Sequence, residues 1–185
     1  MNARNGFIGI VLAGVGGQGL VTIGTILGEA AVLEGRNACL SSTYGTEARG
    51  TFTKSDVLIA DGEIDFIEAV EPDFVLCLAQ AACDRYTPLL GEKSVLLYDS
   101  SLVTPAAACR ATMIGLPVSS LASEEGFERA ANLLALGAIV ALSGAVGKES
   151  VLSVLEKRRT SGAPLGEKSA EAFEKGFREA EKRSS

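Results

Sequence analysis

The chain of 185 residues contains no histidine and no tryptophan, and aromatic residues make up only 5% of it. Without imidazole the usual base of a Ser- or Cys-centred triad is missing, and no other nucleophile–base arrangement is visible. The four cysteines, Cys39, Cys77, Cys83 and Cys109, form no C-x-x-C spacing. A zinc or iron–sulfur site built from this chain is therefore not expected. Cys39 and Cys77 lie in apolar runs and read as small buried hydrophobes of a reducing compartment. Basic charge is also in deficit: 17 Lys and Arg against 23 Asp and Glu leave a net charge of −6. That excludes the basic footprint of a nucleic-acid binder. Long apolar runs are absent too. "LLALGAIVAL" (133–142) is too short to span a bilayer, and "FIGIVLA" (7–13) runs straight into glycines and not into an export cleavage site. The expectation is a cytoplasmic protein with no nucleic-acid and no membrane partner.

What is present is an alternation of apolar runs and helical patterns. With so few aromatics, the core must be built from Leu, Val, Ile and Ala. Residues 7–13 read as a strand buried on both faces. Residues 18–34 read as a helix with Leu20, Ile23, Leu27, Ala31 and Val32 on one face and Gly35 as its stop. "NACLSS" (37–42) reads as the second strand of a right-handed βαβ unit. Further strands are expected at 51–60, 73–79, 94–100 and 111–118, with a helix at 80–90 and a short helix or turn at 63–72. A long helix is expected at 123–144, capped by Ser123 with Glu124 and Glu125 in its first turn. Helices at 148–159 and 167–185 follow, joined by a linker at 160–166. The pattern is that of an α/β fold: one three-layer Rossmann-like domain over 1–185, with a mostly parallel sheet and a helical tail from about 123.

Two segments carry polar chemistry. "GVGGQG" (14–19) follows a strand and opens a helix, the setting in which backbone N–H groups face an anion. An NAD site also needs an acidic residue at the end of the second strand, and that strand ends in Ser41 and Ser42. Structural glycines or some other phosphate or polar ligand are the remaining readings. "YGTEARG" (44–50) is a polar loop at a strand's carboxyl end, where Arg49 could fork onto a phosphate or carboxylate and Tyr44 could stack. The plain alternative is a Glu47–Arg49 surface pair. Asp61 and Asp99 each follow a strand, and could share one sheet edge as a carboxylate pair or cap the next element.

Taken in order, "GVGGQGLVTIGTILGEAA" (14–31), "YGTEARG" (44–50), "SDVLIADGEID" (55–65), "DFVLCLAQAACDRY" (73–86), "LLYDSSLV" (96–103), "NLLALGAIVALSG" (132–144) and "EAFEKGFREA" (171–180) resemble the gamma subunit of 2-oxoacid:ferredoxin (acceptor) oxidoreductases. The family includes pyruvate, 2-oxoglutarate, 2-oxoisovalerate and indolepyruvate enzymes. The joint occurrence of GxGGQG and YGxExRG about 25 residues apart is more specific than either alone. The resemblance implies oxidative decarboxylation of a 2-oxoacid to an acyl-CoA by the intact complex, with electrons passed to ferredoxin or flavodoxin. It assigns thiamine diphosphate and iron–sulfur clusters to partner subunits. To this chain it gives assembly and a coenzyme A contact, with no catalytic residue and no metal of its own. The implied binding residues are Gly14, Gly16, Gly17, Gln18, Gly19, Tyr44, Gly45, Glu47, Arg49 and Gly50. The family often has RGG where this chain has Arg49-Gly50-Thr51, and Asn before the last AF segment where this chain has Ser169. An isolated gamma subunit, with its interface exposed, is expected to form a homodimer. The rival readings are an independent nucleotide-binding Rossmann-like protein and a scaffold that binds no small molecule.

Overall fold

The computed structural model describes residues 6–44, 51–162 and 166–183, with only the backbone of Tyr44. Six strands form one sheet: β1 (Phe7–Val15), β2 (Asn37–Tyr44), β3 (Phe52–Ala60), β4 (Phe74–Cys77), β5 (Val95–Asp99) and β6 (Thr112–Leu116). Their spatial order is β2-β3-β1-β4-β5-β6. β1, β4, β5 and β6 pair in parallel, while β3 runs antiparallel to both β1 and β2. The helices are α1 (Leu20–Leu33), α2 (Gln80–Tyr86), α3 (Val118–Glu124), α4 (Ala131–Ser143), α5 (Lys148–Thr160) and α6 (Ser169–Glu181).

The two faces of the sheet are covered unequally. Ile8, Ile10 and Leu12 of β1 face a large core filled by α1, α3, α4, α5 and α6. Val11 and Ala13, on the alternate positions, face a smaller core that includes Ala82 and Cys83 of α2. The same alternation runs through β3, where Val57 and Ile59 join the large core. α4 is buried almost all round, as its apolar sequence requires. α6 offers it one stripe, Ala172, Phe173, Gly176 and Ala180.

Five expectations change. β1, α1 and β2 do make a parallel crossover, but β3 is inserted between the two strands. Residues 61–72 form neither helix nor strand. Val32 is 60% exposed, because nine residues beyond Ile23 is about two and a half turns, the opposite side of the helix. The single long helix at 123–144 is two helices. Asp99 fixes an earlier start by accepting hydrogen bonds from the N–H and hydroxyl of Ser119. Ser123 then falls in the last turn of α3, and the chain turns at Gly126 (φ +67°) before α4. Of the two cysteines read as buried, Cys77 is, but Cys39 is half-buried; Cys83 is buried and Cys109 half-buried, and all four are free thiols. The neighbouring Cys83 thiol, together with burial, pushes the Cys77 thiol up, and Cys77, together with the Thr87 hydroxyl, pulls Cys83 down.

Candidate functional site

The parallel strands all finish at one edge of the sheet. β1 leads into α1 on the large-core face and β4 into α2 on the other, so the chain departs from neighbouring strands in opposite directions. The crevice between their carboxyl ends is where open α/β sheets take ligands.

The glycine segment sits in that crevice. Gly17 and Gly19 have φ of +96° and +72°, which lets the backbone pass from strand to helix within four residues. Gln18 locks the turn. The Val15 N–H donates to its Oε1 at 2.8 Å, and its Nε2 donates to the Leu78 carbonyl at 2.9 Å. Gln18 thereby ties the end of β1 to the residue just after β4. A Cβ at Gly14 would collide with this Gln18 amide. α1 then begins with no side-chain cap and no acidic residue in its first turn. Its first intrahelical bond runs from Ile23 N–H to the Gly19 carbonyl, so the N–H groups of Leu20, Val21 and Thr22 present the positive end of the helix.

Thr51, the first residue after the second polar segment, meets the glycine turn. The Gly16 N–H donates to the Thr51 carbonyl at 3.0 Å. Tyr44 pairs with Thr53, and Val15 with Phe52. The chain therefore leaves β2 at Tyr44, one strand beyond β3, and re-enters at Thr51 beside the glycine turn. Gly45, Glu47, Arg49 and Gly50, and the side chain of Tyr44, lie outside the described residues.

The sequence pattern of the family described as "Pyruvate ferredoxin/flavodoxin oxidoreductase" matches residues 9–179. The chain belongs to this family. It is 40% identical over 174 residues to the 2-oxoglutarate synthase subunit KorC of Methanocaldococcus jannaschii, covering 91% of each chain. It superposes with TM-score 0.81 and 38% identity on the gamma subunit of keto/oxoacid ferredoxin oxidoreductase from Geobacter sulfurreducens PCA, covering 95% of this chain and 97% of that one. The 2-oxoglutarate:ferredoxin oxidoreductase of Magnetococcus marinus, solved with 2-oxoglutarate, coenzyme A and succinyl-CoA, shares the fold at TM-score 0.86. Its identity is 21%, and the match covers 97% of this chain and 32% of that one.

The fold of this family member explains the missing ribose acid. In a dinucleotide fold the second strand lies next to the first. Here β3 stands between β1 and β2, which places the end of β2 two strand spacings, about 10 Å, from β1. Ser42 is turned to a different task, its hydroxyl 2.9 Å from that of Ser55.

Asp61 and Asp99 do not share an edge. Because β3 runs antiparallel, Asp61 falls at the amino ends of the parallel strands, where it pairs with Arg36 at 2.8 Å. Asp99 is buried at the carboxyl edge and also accepts the Ser101 N–H at 3.0 Å. It is a cap. Among the described residues no three His, Cys, Asp or Glu side chains gather to hold a metal ion, and no helix is long and apolar enough to cross a membrane.

Two residues at the crevice carry no sequence-level signal of a site. Asn132, the second residue of α4, sets its Nδ2 3.5 Å from the Gly19 carbonyl. Exposed Arg85 of α2 stacks on Phe52, 4.6 Å from the ring centre. Asn132 reads as part of an apolar helix and Arg85 as one surface charge; only the fold brings Asn132 to Gly19 and Arg85 to Phe52, the strand partner of Val15. The family departures are accommodated locally. Thr51 offers its backbone carbonyl, and the Ser169 hydroxyl closes the turn before α6 on the Gly166 carbonyl at 2.6 Å.

Proposed function

We propose that this chain is the gamma subunit of a cytoplasmic 2-oxoacid:ferredoxin oxidoreductase complex, a single domain that assembles with thiamine-binding and ferredoxin-like subunits and contributes part of the coenzyme A surface. The observation that carries this reading is the family match over residues 9–179, in a chain whose glycine turn is bonded through the Gly16 N–H to Thr51, the residue that follows the second motif. The complex converts a 2-oxoacid and coenzyme A to an acyl-CoA and carbon dioxide, releasing two electrons and a proton. Thiamine diphosphate and iron–sulfur clusters on the partner subunits supply the carbanion and electron chemistry, and ferredoxin or flavodoxin takes the electrons.

This chain's part is electrostatic. Coenzyme A carries phosphate groups, and the uncapped start of α1 offers N–H donors and a positive dipole end. Arg49, and Arg85 beside Phe52, add guanidinium groups suited to phosphate. Gly14, Gly16, Gly17 and Gly19 keep side chains out of that approach, with Tyr44, Gly45, Glu47 and Gly50 completing the surface. Gln18 contributes indirectly, by holding the turn.

The test is reconstitution. Companion subunits expressed without this chain are expected to lose coenzyme A-dependent 2-oxoacid oxidation and to regain it when the chain is added. Full assembly and activity in its absence would overturn the reading. The engagement of Gln18 on both amide atoms favours one rival, a purely structural role for the turn. That rival requires the apparent KM for coenzyme A to be unchanged in Arg49→Ala.

A further inference from the structure

Residues 61–73, "DGEIDFIEAVEPD", contain six acidic residues and no basic one. The segment is irregular, yet it is fastened along its length. Asp61 pairs with Arg36, and the Gly62 carbonyl accepts from Asn37 Nδ2 at 2.9 Å. The Phe66 ring packs on Phe7 with centroids 5.4 Å apart. The Ala69 N–H donates to Asp56 Oδ1 at 3.3 Å, and the Gly9 N–H donates to Asp73 Oδ2 at 2.9 Å. Gly9 also lets the segment lie close to the sheet, since a Cβ there would stand 3.2 Å from the Ala69 methyl. Asp56 is itself buried, its Oδ2 compensated by Lys54 Nζ at 3.0 Å, which also reaches Glu68 at 3.4 Å.

Held in this way, the segment turns three large apolar side chains outward: Phe66 is 52% exposed, Ile67 65% and Val70 87%. Glu63 and Asp65, both exposed beside them, have no ion pair among the described residues. An unanchored polar loop would not fix such side chains in place. A segment pinned at both ends and at its middle presents them as a ready surface, with the ordering cost met before any partner arrives.

We propose that residues 61–73 are a docking strap for a companion subunit of the complex, whose facing surface combines an apolar socket with Lys or Arg side chains. The charge selects the occupant. A second copy of this chain would bring the same acidic strap and a net charge of −6, and an acidic electron carrier would be repelled. A basic, apolar-pocketed protein surface satisfies both the carboxylates and the exposed side chains. The proposal rests on the gamma-subunit reading.

The experiment titrates the full chain onto a complex of the companion subunits prepared without it. Ile67→Ser with Val70→Ser is expected to weaken binding about tenfold or more. Glu63→Lys with Asp65→Lys is expected to weaken it about tenfold at ~50 mM salt, a gap that narrows at ~500 mM as screening sets in. Val32→Ser with Leu33→Ser, on exposed α1 side chains, is expected to bind like the wild type. Melting curves confirm that each variant folds. If the strap variants bind like the wild type, or the α1 variant loses as much, the strap proposal is overturned while the subunit reading stands. If the wild-type chain does not bind at all, the subunit reading fails and the strap with it. A homodimer of the isolated chain that the strap variants abolish would name a second copy as occupant, and would also overturn the proposal.

Discussion

Replacing Gln18 by alanine removes both bonds that close the glycine turn: the Val15 N–H to Oε1 at 2.8 Å and Nε2 to the Leu78 carbonyl at 2.9 Å. Each is worth about 1 kcal/mol net, and a part-buried N–H left without a partner adds a further share of its ~1–3 kcal/mol desolvation cost. The expected loss is about 2–4 kcal/mol, readable as a lower urea midpoint at unchanged slope. Amide exchange localises it. The Val15 N–H has no other partner for this bond, so its exchange is expected to speed up about thirtyfold for ~2 kcal/mol. Gln18→Glu gives a control with a defined sign. The carboxylate still accepts from Val15 but faces the Leu78 carbonyl, whereas the protonated carboxyl can donate to it. Facing a carbonyl, this carboxyl titrates higher in the folded than in the unfolded chain, so the variant is expected to gain stability relative to wild type as pH falls from that raised value into the ordinary carboxylate range, with no further gain below it. An alanine variant within ~0.5 kcal/mol of wild type, with Val15 protection intact, would refute the role of Gln18 as a staple.

Lys54→Met strips the buried Asp56 of its partner and is expected to cost about 3–5 kcal/mol in denaturant unfolding. In the wild type, burial pulls the Lys54 ammonium down, but Asp56, by contact and charge, more than offsets it, so the group titrates above 10.5. Its contribution is full below that value and is lost as pH rises through the higher folded value, so the gap between wild type and Lys54→Met should close only in strong alkali. Asp99→Ala leaves the Ser101 and Ser119 donors without their acceptor; about 2–4 kcal/mol of stability should go, together with amide protection at the start of α3. In the native protein iodoacetamide should label half-buried Cys39 and Cys109 before buried Cys77 and Cys83, as peptide mass analysis would show.

Much of the fold was legible because its signals are local. The apolar runs at 7–13 and 73–79, and the glycine turn that opens α1, needed no knowledge of their neighbours. What local signals could not show was strand order. Nothing in "TFTKSDVLIA" says that it will enter between β1 and β2 and run antiparallel. That one insertion accounts for the missing ribose acid, the separation of Asp61 from Asp99, and the fastening of residues 61–73 across the amino half of β1. Asn132 escaped notice for a similar reason. It opens an apolar helix 113 residues from Gly19, and only packing puts it at the crevice. The start of α3 depended on Asp99, 20 residues away from Ser119, so the serine and glutamates at 123–125 mimicked a helix start that belongs elsewhere.

The most direct test of a coenzyme A role is a titration of coenzyme A in the assembled complex, comparing wild type with Arg49→Ala at saturating 2-oxoacid. The apparent KM for coenzyme A is expected to rise about tenfold or more, with the KM for the 2-oxoacid unchanged. Equal coenzyme A KM values for the two proteins would contradict a binding surface on this chain and leave its crevice a structural joint.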